Sequence, residues 1–296
     1  MLIHELSDLI QENAIPLFCL AVYENEIEQE REFHLANDCN NIYSISKNFT
    51  AAAVGILFDR GILTSDTKVR TLLEPIQPAL WETLDDRWND VTVKHLLTQT
   101  TGHREMLLDM DCDDIFQYGT DDYLTKVLTA PLVYVPGKQF TYTDSNFYLL
   151  SRIVAAATGE TLQSFAAREI LKPLAVQGWA WSTCPYGHAM GGSRLFLRVK
   201  DMLRFGRMLL DEGLYGGKRM LSQAFVKEAT APQVAAGNTD FYGYSFWMQA
   251  NNPSFHCVGM YGQHIFVDRK YGRVIAWQAW DTEKKTATLL NYLYSL

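Results

Sequence analysis

The chain has 296 residues, of which 48% are hydrophobic and 20% charged. This balance is typical of a folded globular protein and excludes a largely disordered chain. With 26 basic and 34 acidic residues, the formal net charge is −8. An acidic chain without a basic block argues against nucleic acid or an anionic membrane as a partner.

The composition also bears on localisation. The longest apolar runs, near residues 16–23 and 51–58, are far shorter than the roughly 18 residues that a membrane-spanning helix needs. Glu5 and Asp8 interrupt the N-terminus, so we expect no signal peptide. The five cysteines are scattered without a CxxC pair, which argues against a disulfide framework or a zinc site. A cytoplasmic protein with reduced thiols and no metal is the expectation.

The first third of the chain predicts two helices and two strands. Apolar residues at helical spacing predict an amphipathic helix at the N-terminus. Residues 16–23 read as a buried strand, and residues 27–35 return as a second one. Residues 44–60 predict a deeply buried helix, with Ser44 as its N-cap and Gly61 at its end.

The middle of the chain is mostly helical, and the last third returns to strands. Further predicted helices cover residues 91–100, 122–128, 146–158, 162–171, 200–212 and 284–296. Predicted strands cover residues 242–249, 263–267 and 273–280, with a hairpin turn at 268–272.

Strands at both ends with helices between them predict an α+β fold. The two ends would build an antiparallel sheet flanked by terminal helices, and the helical middle would be an inserted lobe. We place the sheet lobe at residues 1–63 and 185–296 and the helical lobe at residues 64–184. A site is expected where the lobes meet.

The first group that could carry chemistry is Ser44-Ile45-Ser46-Lys47. Its spacing puts Ser44 and Lys47 on one helix face, a turn apart. An amine in apolar surroundings loses stability as an ammonium, so its pKa falls and it can take the serine proton. The alternative is an ordinary N-cap followed by a solvated lysine. A second copy, from Ser65 to Lys68, lies in a polar connection, and we interpret it as unrelated to catalysis.

Two further segments are candidates. Tyr142 and Asp144 lie in a loop before the helix at 146–158; Tyr142 could shuttle a proton, and Asp144 could hold Lys47 or the substrate. Gly259 in the segment 257–263 would let a backbone N–H approach a reacting carbonyl and, with the N–H of Ser44, form an oxyanion hole. Each segment also has a structural interpretation, as a half-buried loop tyrosine and as a glycine-bearing strand entry.

Taken together, these segments resemble the serine β-lactamase and penicillin-binding-protein-like family, in particular its class C and esterase branch. The resemblance rests on order and spacing over about residues 16–280. The matching segments are residues 44–47, 93–102, 136–144 with 149–150, 191–193 with 201–206, 242–244 and 259–263.

The resemblance implies acyl transfer through a serine acyl-enzyme, on a small-molecule ester, amide or peptide-like substrate, without metal or cofactor. Ser44 matches the nucleophile, Lys47 its base, and Tyr142 the proton shuttle. Asp144, Cys257, Gly259 and Met260 match positions that bind substrate. The oligomeric state stays open.

Two departures from the family pattern affect the expected substrate. In the third motif, usually Lys-Thr-Gly, Cys257 stands at the lysine position, and Asp144 replaces the commoner Asn of the second motif. Our hypothesis is that both changes disfavour anionic β-lactams, unless Arg194 or His256 supplies the missing cation. Asp144 near Lys47 would also raise its pKa and work against a general base.

Other functions stay open at this stage. The chain could be a weakly active or silent binding module on the same fold, or a true β-lactamase. An unrelated Ser-His-Asp enzyme using His256 or His264 is a further alternative.

Overall fold

The computed structural model describes residues 1–112, 118–119, 122–238 and 240–296. The strands are β1 (Leu17–Glu24), β2 (Ile27–Glu32), β3 (Asn40–Asn41), β4 (Ala180–Trp181), β5 (Leu195–Leu197), β6 (Leu214–Tyr215), β7 (Lys218–Arg219), β8 (Val234–Ala235), β9 (Asp240–Tyr242), β10 (Trp247–Gln249), β11 (Phe255–Gly259), β12 (Gln263–Asp268) and β13 (Arg273–Ala279).

Helices cover both termini and most of the middle of the chain. They are α1 (Leu2–Glu12), α2 (Ser46–Asp59), α3 (Val69–Leu73), α4 (Pro78–Trp81), α5 (Val93–Leu97), α6 (Tyr123–Thr129), α7 (Asp144–Thr158), α8 (Leu162–Ala166), α9 (Val199–Leu210), α10 (Gln223–Ala229) and α11 (Ala287–Ser295). Short 3₁₀ turns cover Tyr43–Ile45, Glu74–Ile76, Asp86–Asn89 and Met260–Gly262, and a π-helical turn covers Ala167–Leu171. No helix within the described ranges has the length and apolarity to cross a bilayer.

The main sheet has eight antiparallel strands in the order β2-β1-β13-β12-β11-β10-β9-β8. Strands from the two ends of the chain meet within it, where β1 pairs with β13. This confirms the predicted α+β fold with an antiparallel sheet built from both ends. A smaller sheet, β3-β5-β4, leads into the turn that contains Ser44.

The central strands are buried on both faces because helices cover each side. Leu20 and Val22 of β1 join the apolar cluster of α1 and α11 on one face, whereas Ala21 points into the larger core on the other. Side chains alternate between faces along a strand, so β1 connects both clusters. On the larger-core face, Gly206 lets α9 approach β13 closely, since a Cβ there would lie 2.5 Å from Val274 Cγ1.

Helix α2 runs through the middle of the molecule. Its residues from Ser46 to Leu57 are all buried, and it contacts α7, α8 and α10. This burial agrees with the prediction from the apolar middle of its sequence. One continuous core therefore extends from the sheet into the helical part, and the division at residues 63/64 and 184/185 stays a prediction.

Three local expectations were wrong. Ser44 is not an N-cap: it lies inside the 3₁₀ turn Tyr43–Ile45, and the N-cap position of α2 is Ile45, without a side-chain cap bond. The single strand predicted at 242–249 is two strands, because Ser245 turns the chain with φ 75°. The helix predicted at 91–100 is only Val93–Leu97, since Gln99 has a left-handed φ of 60°.

Candidate active site

The candidate nucleophile and amine lie one turn apart where the 3₁₀ turn enters α2. Ser44 is half-buried and Lys47 is 1% exposed. Lys47 Nζ donates a hydrogen bond to Ser44 Oγ over 3.1 Å. The predicted spacing of the two side chains thus corresponds to direct contact.

Two other groups hold the Lys47 amine. Nζ makes a short contact with Asp144 Oδ1 in the first turn of α7, and it donates to the carbonyl oxygen of Gly192 over 2.8 Å. An ammonium has three N–H donors. With Ser44, Asp144 and Gly192 as acceptors, each donor of Lys47 has a partner.

The charges of this pair follow from burial and from their contact. Burial lowers the pKa of Lys47, but Asp144 and then Tyr142 outweigh it, so the pKa of Lys47 is raised. Burial raises the pKa of the Asp144 carboxyl, and the Lys47 cation opposes that rise. We take the pair as an ammonium and its counter-ion, because a carboxylate in contact stabilises the protonated amine.

Tyr142 reaches the same amine from the loop before α7. Lys47 Nζ lies 4.7 Å from the centroid of its ring. The half-buried ring also packs against Trp247 and Tyr242, with centroid distances of 5.9 and 6.2 Å. Segments almost 100 residues apart thus bring Ser44, Lys47, Tyr142 and Asp144 together.

A buried glutamine positions the loop that carries Tyr142 and the start of α7, where Asp144 lies. Gln99 Nε2 donates to the carbonyl of Thr143 over 3.0 Å, and Gln99 Oε1 accepts from Asn146 Nδ2 over 2.8 Å. Gln99 belongs to the segment 93–102, but its sequence context alone gave it no role. The signal that could have found it is its place within one of the ordered family segments.

Gly192 is a second functional position to which the sequence gave no role. A Cβ on Gly192 would lie 3.0 to 3.1 Å from the carbonyl oxygen, Cα and Cβ of Asp144. A glycine lets this backbone approach α7 without a tight contact, at the position where its carbonyl accepts from the Lys47 amine. The side chains of the adjacent residues Ser193 and Arg194 both contact Asp111. The Arg194 guanidinium therefore already has a carboxylate partner, although the Arg194 side chain is one-third exposed.

The end of β11 passes directly beside the segment before Ser44. A Cβ on Gly259 would lie 2.4 Å from the carbonyl oxygen of Ile42. Gly259 therefore brings the backbone at Met260, which is half-buried, close to the nucleophile turn. The Cys257 side chain is completely buried in the core, so it is the backbone of this strand that borders the site.

The histidine alternative is inconsistent with the structure. His256 and His264 contact each other, with 2.7 Å between His256 Nδ1 and His264 Nε2. His264 stacks on Trp277 and His256 packs against Tyr294 of α11, on the sheet face that the terminal helices cover. Burial lowers the pKa of His256 to about 3. Neither histidine can serve Ser44 as a base or supply a cation to a substrate.

The second Ser-x-x-Lys copy lies at the surface. The Lys68 side chain is 45% exposed, and its Nζ lies 3.7 Å from Asp90. Lys68 is therefore exposed to solvent, whereas Lys47 is buried. This difference agrees with the interpretation of the second copy as unrelated to catalysis.

Comparison with known proteins gives one consistent family. A sequence model described as Beta-lactamase matches residues 36–293. Esterase EstB of Burkholderia gladioli is 30% identical over 145 residues, covering 45% of this chain and 36% of EstB. The 6-aminohexanoate-dimer hydrolase of Paenarthrobacter ureafaciens is 26% identical over 151 residues, covering 46% of this chain and 38% of that protein.

Solved structures agree on the fold. The penicillin-binding protein of Bacillus halodurans superimposes with a TM-score of 0.77 at 18% identity, covering 98% of this chain and 100% of that chain. The matched curated relatives are longer, since this chain covers between 36% and 56% of their length. Because the family match extends over most of the sequence, the chain belongs to the beta-lactamase family.

Proposed function

We propose that this protein is a serine hydrolase that transfers an acyl group to Ser44 from a small neutral ester or amide. The observation that carries the proposal is the contact of Ser44 Oγ with Lys47 Nζ at 3.1 Å, inside a site where Asp144 and Gly192 fix the amine. Relatives named as an esterase and a 6-aminohexanoate-dimer hydrolase support the reaction class.

Tyr142 is the proton acceptor in this mechanism. A protonated Lys47 donates to Ser44 Oγ and has no lone pair that could accept the proton of the Ser44 hydroxyl. The Tyr142 ring borders the same ammonium, and in our proposal its oxygen is the phenolate, the form that can accept a proton. As Ser44 Oγ attacks the carbonyl carbon, the Tyr142 phenolate takes the hydroxyl proton and the carbonyl oxygen becomes an oxyanion. Collapse of this intermediate breaks the bond to the leaving alcohol or amine, which takes the proton from the phenol and restores the phenolate. Water, activated in the same way, releases the acyl group from Ser44.

The oxyanion of the tetrahedral intermediate would form beside the turn that holds Ser44. The N–H groups of Ser44 and Met260 are the donors in our proposal, since Gly259 brings β11 against the chain at Ile42. Loss of one such donor typically lowers kcat about 10²- to 10³-fold.

The preference for neutral substrates rests on Cys257. Its buried thiol stands where the family pattern has a lysine, so the position offers no cation to a carboxylate. The negative charge of Asp144 contributes little to this preference, because Lys47 neutralises it. Arg194 remains a candidate cation, although Asp111 already accepts from its guanidinium.

Active-site labelling tests the hydrolase proposal. A fluorophosphonate probe followed by intact-mass spectrometry should add one adduct to the wild-type protein and none to Ser44→Ala. Ser65→Ala, in the exposed second copy, is the matched control and should be labelled like wild type. An adduct on Ser44→Ala, or none on wild type, would overturn the proposal and favour a non-catalytic binding module.

Steady-state kinetics tests the substrate class separately. We expect p-nitrophenyl acetate or a D-aminoacyl anilide to be hydrolysed with a higher kcat/KM than nitrocefin. Efficient nitrocefin turnover would contradict the preference for neutral substrates. Loss of that turnover in Arg194→Gln would then identify Arg194 as the cation that binds the carboxylate.

A further inference from the structure

Three aromatic side chains form a continuous surface beside the nucleophile, which we call the aromatic wall: Tyr43, Tyr261 and Trp280. The Tyr43 and Tyr261 rings meet edge to face with centroids 5.3 Å apart. The Tyr261 ring stacks on Trp280 with centroids 4.1 Å apart and an interplanar angle of 22°. Tyr43 directly precedes Ser44, and Tyr261 directly follows Met260.

The backbone holds this wall in a fixed position. Tyr261 has a left-handed φ of 57°, which is uncommon for a bulky residue and has to be held by its surroundings. Its carbonyl accepts a hydrogen bond from the Asp281 N–H over 3.0 Å. The Asp281 carboxylate is in turn buried and accepts from the N–H and hydroxyl of Thr286 over 2.7 and 2.8 Å.

The outer end of the aromatic wall, at Trp280, is exposed to solvent. Trp280 is 52% exposed, although its indole already stacks on one ring. A rigid, partly exposed stack of this kind has a free face for another planar or apolar group. The carboxylate of Asp281, next to Trp280, is buried and engaged by Thr286, so it is not available to pair with a charged substituent.

We infer that the aromatic wall is a subsite that binds an aryl or other bulky apolar substituent of the substrate. The inference rests on the proposed function for its place in catalysis, because Ser44 defines where the scissile carbonyl would lie. It goes beyond that function by naming the substituent and the residues that select it.

Binding to a protein that cannot react tests the inference directly. Ser44→Ala is titrated calorimetrically with 2-naphthyl butyrate and with methyl phenylacetate, which carry the aryl group on the leaving and acyl sides respectively. Adding Trp280→Ala to this background should raise Kd for at least one of the two esters about five- to tenfold. Trp280→Phe should recover part of the loss.

Trp179→Ala in the same background is the matched control, since Trp179 is also partly exposed but lies outside the aromatic wall. It should leave both Kd values unchanged. Equal Kd values for both esters with and without Trp280→Ala, or an equal effect of Trp179→Ala, would overturn the subsite.

Kinetics with Ser44 intact provides the second readout. The ratio of kcat/KM for the preferred aryl ester to that for ethyl acetate should fall by a similar factor in Trp280→Ala. Trp280-dependent binding in a protein whose wild type cannot be labelled at Ser44 would support the subsite and overturn only the hydrolase proposal.

Discussion

Lys47 and Asp144, 97 residues apart in the chain, form an ion pair that is almost completely shielded from water. The family pattern has a neutral Asn where Asp144 stands, so the carboxylate changes the charge of the site. Asp144 raises the pKa of Lys47, so in the proposed mechanism the amine is a donor to Ser44 rather than a base. In the same mechanism the proton of Ser44 moves to Tyr142.

Asp144→Asn tests this division of roles through the pH dependence of kcat/KM. In wild type the raised pKa of Lys47 keeps the ammonium up to alkaline pH. Without Asp144, burial prevails and the pKa of Lys47 falls. If catalysis requires the ammonium, the variant should lose activity at a lower pH on the alkaline side of its profile.

The opposite mechanism gives an opposite result in the same experiment. If Lys47 is the base, lowering its pKa frees the amine, and Asp144→Asn should gain activity near neutral pH. Tyr142→Phe supplies the control, because it should abolish turnover only when the phenol carries the proton. A gain at neutral pH together with an active Tyr142→Phe would reject the assignment of the phenol as proton acceptor.

Lys47→Met should destabilise the fold strongly, because it leaves Asp144 buried without its counter-ion. Breaking one side of a buried pair costs about 3–5 kcal/mol in the free energy of unfolding, which urea denaturation measures. The double variant Lys47→Met, Asp144→Asn should recover part of that loss.

Lys68→Met provides the comparison for the same substitution in an exposed pair. Lys68 lies 3.7 Å from Asp90 at the surface, where such pairs contribute about 1 kcal/mol or less. A similar loss at both lysines would mean that the Lys47–Asp144 pair does not contribute as a buried pair.

Much of this site could be predicted from local sequence. The Ser44–Lys47 contact follows from a spacing of three residues across the 3₁₀ turn and the first turn of α2, which needs no knowledge of the rest of the fold. The contact of Lys47 with Asp144 rather than with substrate depends on how α2 packs against α7. No local pattern encodes that packing, so the sequence could not decide whether Asp144 contacts Lys47 or the substrate.

Strand β11 shows the second limit. His256 and Cys257 are adjacent and both buried, because helices cover the two faces of the sheet. A strand buried on both faces has no alternation of polar and apolar residues, so its length and the inward direction of Cys257 could not be read from the sequence. Strands β1 and β2, joined by a tight turn, were predicted close to their observed bounds.

The buried pair His256 and His264 should make the fold sensitive to acid. Burial lowers the pKa of His256 to about 3, and the pKa of His264 is lowered well below its usual value by burial and then by His256. In the unfolded chain both take up protons near pH 6.5. The unfolded state therefore binds more protons below that pH, and stability falls as the pH drops from about 6.5 toward the folded-state values.

Denaturant unfolding between pH 7 and pH 4 measures this effect. Each histidine contributes a slope of up to about 1.4 kcal/mol per pH unit, and the double variant His256→Asn, His264→Asn should have a flatter profile. His4→Gln, an exposed position, should keep the wild-type slope. An unchanged slope in the double variant would show that other groups control acid unfolding.

Gly259→Ala should disable the site by separating β11 from the nucleophile turn. The added Cβ would lie 2.4 Å from the Ile42 carbonyl oxygen and 2.8 Å from Gln263 Cβ, so backbone has to move. If the N–H of Met260 stabilises the oxyanion, kcat should fall about 100-fold or more, and stability should fall by about 1–3 kcal/mol. Gly237→Ala, with no atom within 4 Å of the added Cβ, should change neither quantity. A Gly259→Ala protein that is less stable but retains wild-type kcat would place the oxyanion elsewhere, because the displaced strand would then be dispensable for the reaction.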